Sequence, residues 1–187
     1  EAVLLAHVVE AELAGLVGHE LIDPLLFPAD GTSEADVLEV RRIKGRVDRE
    51  RLPRGADPQL HLKLGRGGLA DIEWTVQLLQ MRHAGRVPEL RTPQTVSALV
   101  AARAAGLMAE EDADTLIEGW RTVSRVRNAV TLVRGKSADQ LPRDTRDRAA
   151  VASILGYPPG ASDEMVNDYL RCTRRSRGVV ERVFWDD

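Results

Sequence analysis

The sequence predicts an all-α fold, a helical bundle of about seven helices forming one domain over 1–187. Apolar residues recur at the 3.6-residue helical period through most of the chain. No stretch supplies two neighbouring alternating runs joined by a turn, as a hairpin would. The periodic segments are also punctuated by the residues that start and stop helices: Ser33, Gly106 and Gly135, with Pro53 beyond one end.

The first predicted helix covers about 2–18, with Val3, Leu4, Val8, Ala11, Leu13 and Leu16 on its apolar positions. The run 21–28 then carries Pro24 and Pro28, which interrupt it and make it an elbow on the core. Ser33 is a cap candidate with acids in the turn after it, opening a charged helix to about Arg51 in which Val37, Val40, Lys44 and Val47 share a face. A loop rich in Arg, Gly, Asp and Pro (53–58) leads to an apolar central helix from Gly68 to His83. Ile72, Val76 and Leu79 form its main stripe, with Trp74, Leu78 and Met81 beside them. Thr92-Pro93 has the cap-then-proline order of a helix start, and this helix runs to Ala105 before Gly106. The next begins near Glu110 in a cluster of acids and ends near Arg134, a polarity that suits the helix dipole. Its Leu116, Trp120, Val123, Arg127 and Val130 stripe is predicted to face inward. Helices near 145–155 and 162–185 complete the set.

With 43% hydrophobic and 29% charged residues, the composition is that of an ordinary globular chain. Net charge is −3, yet residues 1–40 hold nine acids and no Lys or Arg, while 41–187 hold 26 bases and 20 acids. Arginine supplies nearly all the positive charge, which fits either planar recognition of phosphate or the codon usage of a GC-rich genome. A single cysteine, Cys172, reads as a reduced thiol on a helix. The first residues have no basic region and no small-residue cleavage site, and no apolar run approaches the ~20 residues that cross a bilayer. A cytoplasmic protein with no membrane partner is expected. The chain starts at Glu1 directly in helical pattern, so a piece of a longer protein is expected as well.

His19-Glu20 lacks the second histidine of a zinc-protease motif, and His7, His61 and His83 have no metal-ligand spacing, so no metal site is expected. No glycine-framed nucleophile supports a hydrolase triad. Negative net charge and the lack of a basic-aromatic motif argue against nucleic acid as a partner. Arg171, Arg174, Arg175 and Arg182 gather on one face of the last helix, as an anionic contact or as a solvated surface.

The most unusual stretch is His61-Leu62-Lys63-Leu64-Gly65-Arg66-Gly67-Gly68-Leu69-Ala70-Asp71-Ile72-Glu73-Trp74. Three glycines and two bases immediately precede a helix, whose N-terminal N–H groups and dipole form an anion site that glycine lets a phosphate approach. The alternative is that the glycines only turn the chain into a tightly packed helix. Gly65, Gly67 and Ala70 also fit a G-x-G-x-x-A pattern, with 60–64 as its strand and Glu89 as its ribose acid. That reading requires a second hydrophobic strand, which residues 86–91 do not provide. Asp71 and Glu73 lie in the first turn, and Glu73 shares a face with Gln77 and Gln80. They read either as dipole and capping acids or as a polar stripe turned towards a neighbouring domain.

The run Lys63 to Trp74 followed by Gln77 and then Leu90-Arg91-Thr92 resembles the helical domain of the bacterial glutamine synthetase adenylyltransferases. The stretches Val40 to Lys44 and Pro53 to Gly55, the Arg127-Asn128 pair and the closing Arg174-Arg175 to Phe184-Trp185 are similar to that family too. The resemblance implies a two-headed enzyme in which each half is a polymerase-β-like nucleotidyltransferase domain followed by a helical domain of this kind. One half transfers AMP from ATP to a tyrosine of glutamine synthetase, the other removes it by phosphorolysis, and the PII signalling protein and glutamine choose between them. Asp71-Ile72-Glu73 and the aromatic chain end resemble the copy behind the C-terminal, adenylylating half.

In that family the Mg²⁺-binding Asp-x-Asp pair follows a Gly-Ser in the nucleotidyltransferase domain. Asp112-Ala113-Asp114 has the spacing without that setting and reads as an acidic helix start. The resemblance therefore implies no catalytic residue and no cofactor in this chain, with Mg²⁺ and ATP belonging to the full-length enzyme. Lys63, Arg66, Gly67, Gly68, Asp71, Glu73 and Gln77 are the candidate nucleotide- or interface-binding residues, expected to face the catalytic cleft. Expected partners are the preceding nucleotidyltransferase domain, glutamine synthetase and PII. A regulatory module that binds PII or glutamine, and a scaffold that only joins domains, are the alternatives.

Overall fold

The computed structural model describes residues 27–186. The predicted helix at 2–18 lies outside them, as does most of the following elbow. Among the described residues there are six α-helices and no strands: α1 (Glu34–Glu50), α2 (Leu69–His83), α3 (Thr95–Ala104), α4 (Glu110–Arg134), α5 (Thr145–Ile154) and α6 (Ser162–Val180). Thus six of the seven predicted helices fall in the described part, and all six are present within a few residues of their predicted bounds.

Local chemistry explains the ends. Ser33 Oγ accepts the Asp36 N–H at 3.2 Å to cap α1. Asp144 caps α5 by accepting the N–H groups of Arg146 and Asp147. Gly135, at φ 64°, supplies the left-handed residue that closes α4. Pro93 does not open α3: Thr92 Oγ1 accepts the Gln94 N–H at 3.2 Å, and this turn delivers the chain into a helix starting at Thr95. The last predicted helix ends at Val180 and continues as a wider π-helical turn, Glu181–Asp186, which buries Phe184.

The core has two parts. One gathers Val37 and Val40 of α1, Ile72, Val76, Leu78 and Leu79 of α2, the buried face of α3, Leu116 and Ile117 of α4, and Val179, Val180 and Phe184 at the chain end. The other joins Leu62, Leu69 and Leu141 to the C-terminal half of α4, to α5 and to Met165 and Tyr169 of α6. Helices α4 and α6 run through both parts, and Trp120 packs against each. Gly119 lets these two helices approach, because a Cβ there would collide with Ser176 Oγ.

Candidate functional site

The segment 60–64 is not a strand. Leu62 N–H donates to the Asp139 carbonyl at 2.7 Å and Leu141 N–H to the Leu60 carbonyl at 2.9 Å, forming an isolated antiparallel bridge between His61 and Gln140. The chain then folds over the start of α2. Leu69 N–H donates to the Leu62 carbonyl at 3.1 Å, Ala70 N–H to Lys63 at 3.0 Å and Gly68 N–H to Gly65 at 2.9 Å. Three of the N-terminal donors, on Gly68, Leu69 and Ala70, are thus occupied by the chain's own carbonyls. The start of α2 is self-capped at Gly68, Leu69 and Ala70.

The glycines serve packing. Gly67 has φ 71°, where non-glycine residues are strained, and a Cβ on it would strike the Thr173 carbonyl of α6. A Cβ on Gly65 would meet the carbonyls of His61 and Pro58, and one on Gly68 those of Leu62 and Gly65. These contacts give the three glycines a packing role at the entry to α2.

Asp71 is turned inward and only 3% exposed. Its carboxylate accepts from Lys44 Nζ at 2.6 Å, from the Gly67 N–H at 2.7 Å and from Arg177 at 3.2 Å. Lys44, 1% exposed, also pairs with Asp48 on its own helix. This buried network joins α1, the start of α2 and α6. Charges taken out of water need such complete pairing. The signal for Lys44 was in the sequence, as a lysine on the apolar stripe of α1, but the cations that meet Asp71 were not identified there. Gln80 is likewise buried, donating to the carbonyls of Leu90 at 2.8 Å and Thr92 at 2.7 Å, which fastens the 88–92 segment to α2.

The predicted residues therefore separate. Gly67, Gly68 and Asp71 build the junction from inside. Lys63 and Arg66 are exposed, and Glu73 and Gln77 are half-buried on α2. The Asp112 and Asp114 carboxylates are directed to Arg182 and Arg103, at 2.5 and 2.7 Å. Arg171 pairs with Asp168 and Arg175 with Glu118, so these members of the arginine face are balanced by acids. Burial pushes the Cys172 thiol above its ordinary pKa, which keeps it protonated. Among the described residues no group of His, Cys, Asp and Glu is placed to hold a metal ion. No helix there is long and apolar enough to cross a membrane.

A bundle whose central helix is reached through a glycine-rich junction locked by a buried ion pair defines a helical domain. Residues 40–185 match the family model described as GlnD PII-uridylyltransferase, and the chain belongs to that family. It is similar to the bifunctional glutamine synthetase adenylyltransferase/adenylyl-removing enzyme of Streptomyces avermitilis, 57% identical over 89% of this chain and 17% of the relative. The enzymes of the same description from Mycolicibacterium paratuberculosis and Nocardia farcinica are each 52% identical over 98% of this chain and 18% of their own length. The chain spans 17–18% of the length of these curated relatives.

Proposed function

We propose that this chain is the helical domain behind the adenylylating half of a glutamine synthetase adenylyltransferase. In that role it supports transfer of AMP from ATP to a tyrosine of glutamine synthetase in the control of nitrogen assimilation. The observation that carries the reading is identity of 52–57% to such enzymes across 89–98% of the chain. Asp71-Ile72-Glu73 and the aromatic chain end support the choice of the C-terminal copy. The reading puts Mg²⁺ and ATP in the preceding nucleotidyltransferase domain, and the work in the cytoplasm.

The residues of this chain act in it by position. The Lys44–Asp71–Arg177 network fixes the start of α2, and the side chains presented from that junction are Lys63, Arg66, Glu73 and Gln77. The cations suit an anionic surface or the phosphates of a nucleotide, and Glu73 and Gln77 suit a polar interdomain contact. The test is adenylylation of glutamine synthetase with labelled ATP by a protein extended through the nucleotidyltransferase domain. Lys63→Ala and Glu73→Ala are expected to lower the rate or raise the KM for ATP, and removal of 1–187 to abolish activity while the remaining domain stays folded. Unchanged kinetics in all three would reject the reading.

The family model's description, which names an enzyme of PII, favours one second reading: a regulatory module that binds PII. Saturable binding of PII to the chain, together with full activity of the truncated enzyme, would select it.

A further inference from the structure

Between the 53–56 loop, the His61–Gln140 bridge, the end of α4 and the loop into α5 lies a cleft of about 550 Å³. That volume falls among those of small-molecule sites. Its charges are not balanced from within. Of the lining acids, Asp139 is held by Arg127 at 2.5 Å and Asp144 is occupied in capping α5. The cations are less engaged. Arg143 donates to the Gly55 carbonyl at 3.0 Å, Arg134 reaches Asp147 at 3.3 Å, and exposed Arg54 makes no ion pair among the described residues.

Two neutral residues, Gln140 and His61, also line the cleft. Both Oε1 and Nε2 of Gln140 are buried without a hydrogen-bond partner, and such groups in folded proteins call for an explanation. His61 is 5% exposed, and its Nδ1 accepts the Leu64 N–H at 3.0 Å. The neutral ring therefore carries its proton on Nε2, a donor with no partner among the described residues.

We propose that this cleft binds a small oxyanion ligand. Its phosphate or carboxylate is held by Arg54 and Arg143, and a neighbouring polar atom accepts from the His61 Nε2–H. Guanidinium groups match the planar, two-point geometry of both oxyanions. The site uses none of the residues assigned to the interdomain face, so it stands or falls apart from the proposed function.

The test is a titration of the intact 187-residue chain, labelled with ¹⁵N, against inorganic phosphate and against succinate, each compared with chloride of equal ionic strength. Saturable shifts clustered at Gly55, His61, Gln140 and Arg143 are expected with at least one probe; phosphate alone would mark a phosphorylated ligand, succinate alone a carboxylate. Arg54 and Arg143 are exposed, so the Arg54→Ala/Arg143→Ala protein should keep its fold and bind about tenfold or more weakly. Absence of saturable shifts with both probes, or undiminished binding by the double variant, would overturn the proposal.

Discussion

The Asp71 carboxylate is the meeting point of three elements, and its surroundings decide what its removal does. Asp71→Ala leaves the Lys44 ammonium buried beside Asp48 alone and strips the Gly67 N–H of its acceptor. A loss of about 3–5 kcal/mol in urea unfolding is expected. Replacing both charges, as Lys44→Met/Asp71→Leu, should cost less than Asp71→Ala, because the fully buried ammonium goes with its carboxylate, while Asp48 is a third exposed and Arg177 keeps Glu181. A double variant less stable than the single one would mean that the network contributes more than charge balance. In the sequence, Asp71 is one of two acids in a helix's first turn, indistinguishable from a dipole residue. Its role depends on cations from α1 and α6 that only the packed fold brings together.

The crossing of α4 and α6 rests on one missing side chain. Gly119→Ala would push a Cβ into Ser176 Oγ and towards Ile72, and overpacking of this kind costs about 1–3 kcal/mol. Ser176 Oγ is itself buried without a partner, so Ser176→Ala should be neutral or stabilising by up to ~1 kcal/mol and should recover part of the Gly119→Ala loss. Melting temperatures of the two single variants and the double variant check both statements. The helices themselves were legible in the sequence, because the apolar period agrees with the Ser33 cap for α1 and with the acidic start and closing Gly135 for α4. The candidate site was legible only as a location. Whether the first N–H groups of α2 are free depends on where the Leu62 and Lys63 carbonyls end up, and no periodicity encodes that.

Across the whole molecule, α4 and α6 thread both parts of the core, so global stability registers events at either end. His61 provides the pH-sensitive case. Burial holds its pKa below the ordinary 6.5, outweighing the opposing pull of Asp139. The unfolded ring therefore takes up a proton that the native ring refuses. The His61 contribution is complete above the unfolded-state value and is lost as pH falls below it towards the depressed native value. The urea midpoint should drop between about pH 7.5 and pH 5.5, and His61→Gln should shrink that drop. An equal drop in the variant would assign the acid sensitivity to other groups.

The burial of Lys44 has a chemical consequence. The chain contains three lysines, and Lys63 and Lys136 stand in solvent while the Lys44 ammonium is enclosed by two carboxylates. An acylating reagent needs a free, deprotonated amine, so in the native protein it can modify Lys44 only when α1 parts from α2. The slow appearance of an acyl group at position 44 is thus a clock for the lifting of the first described helix, built into the chain without any label having to be introduced.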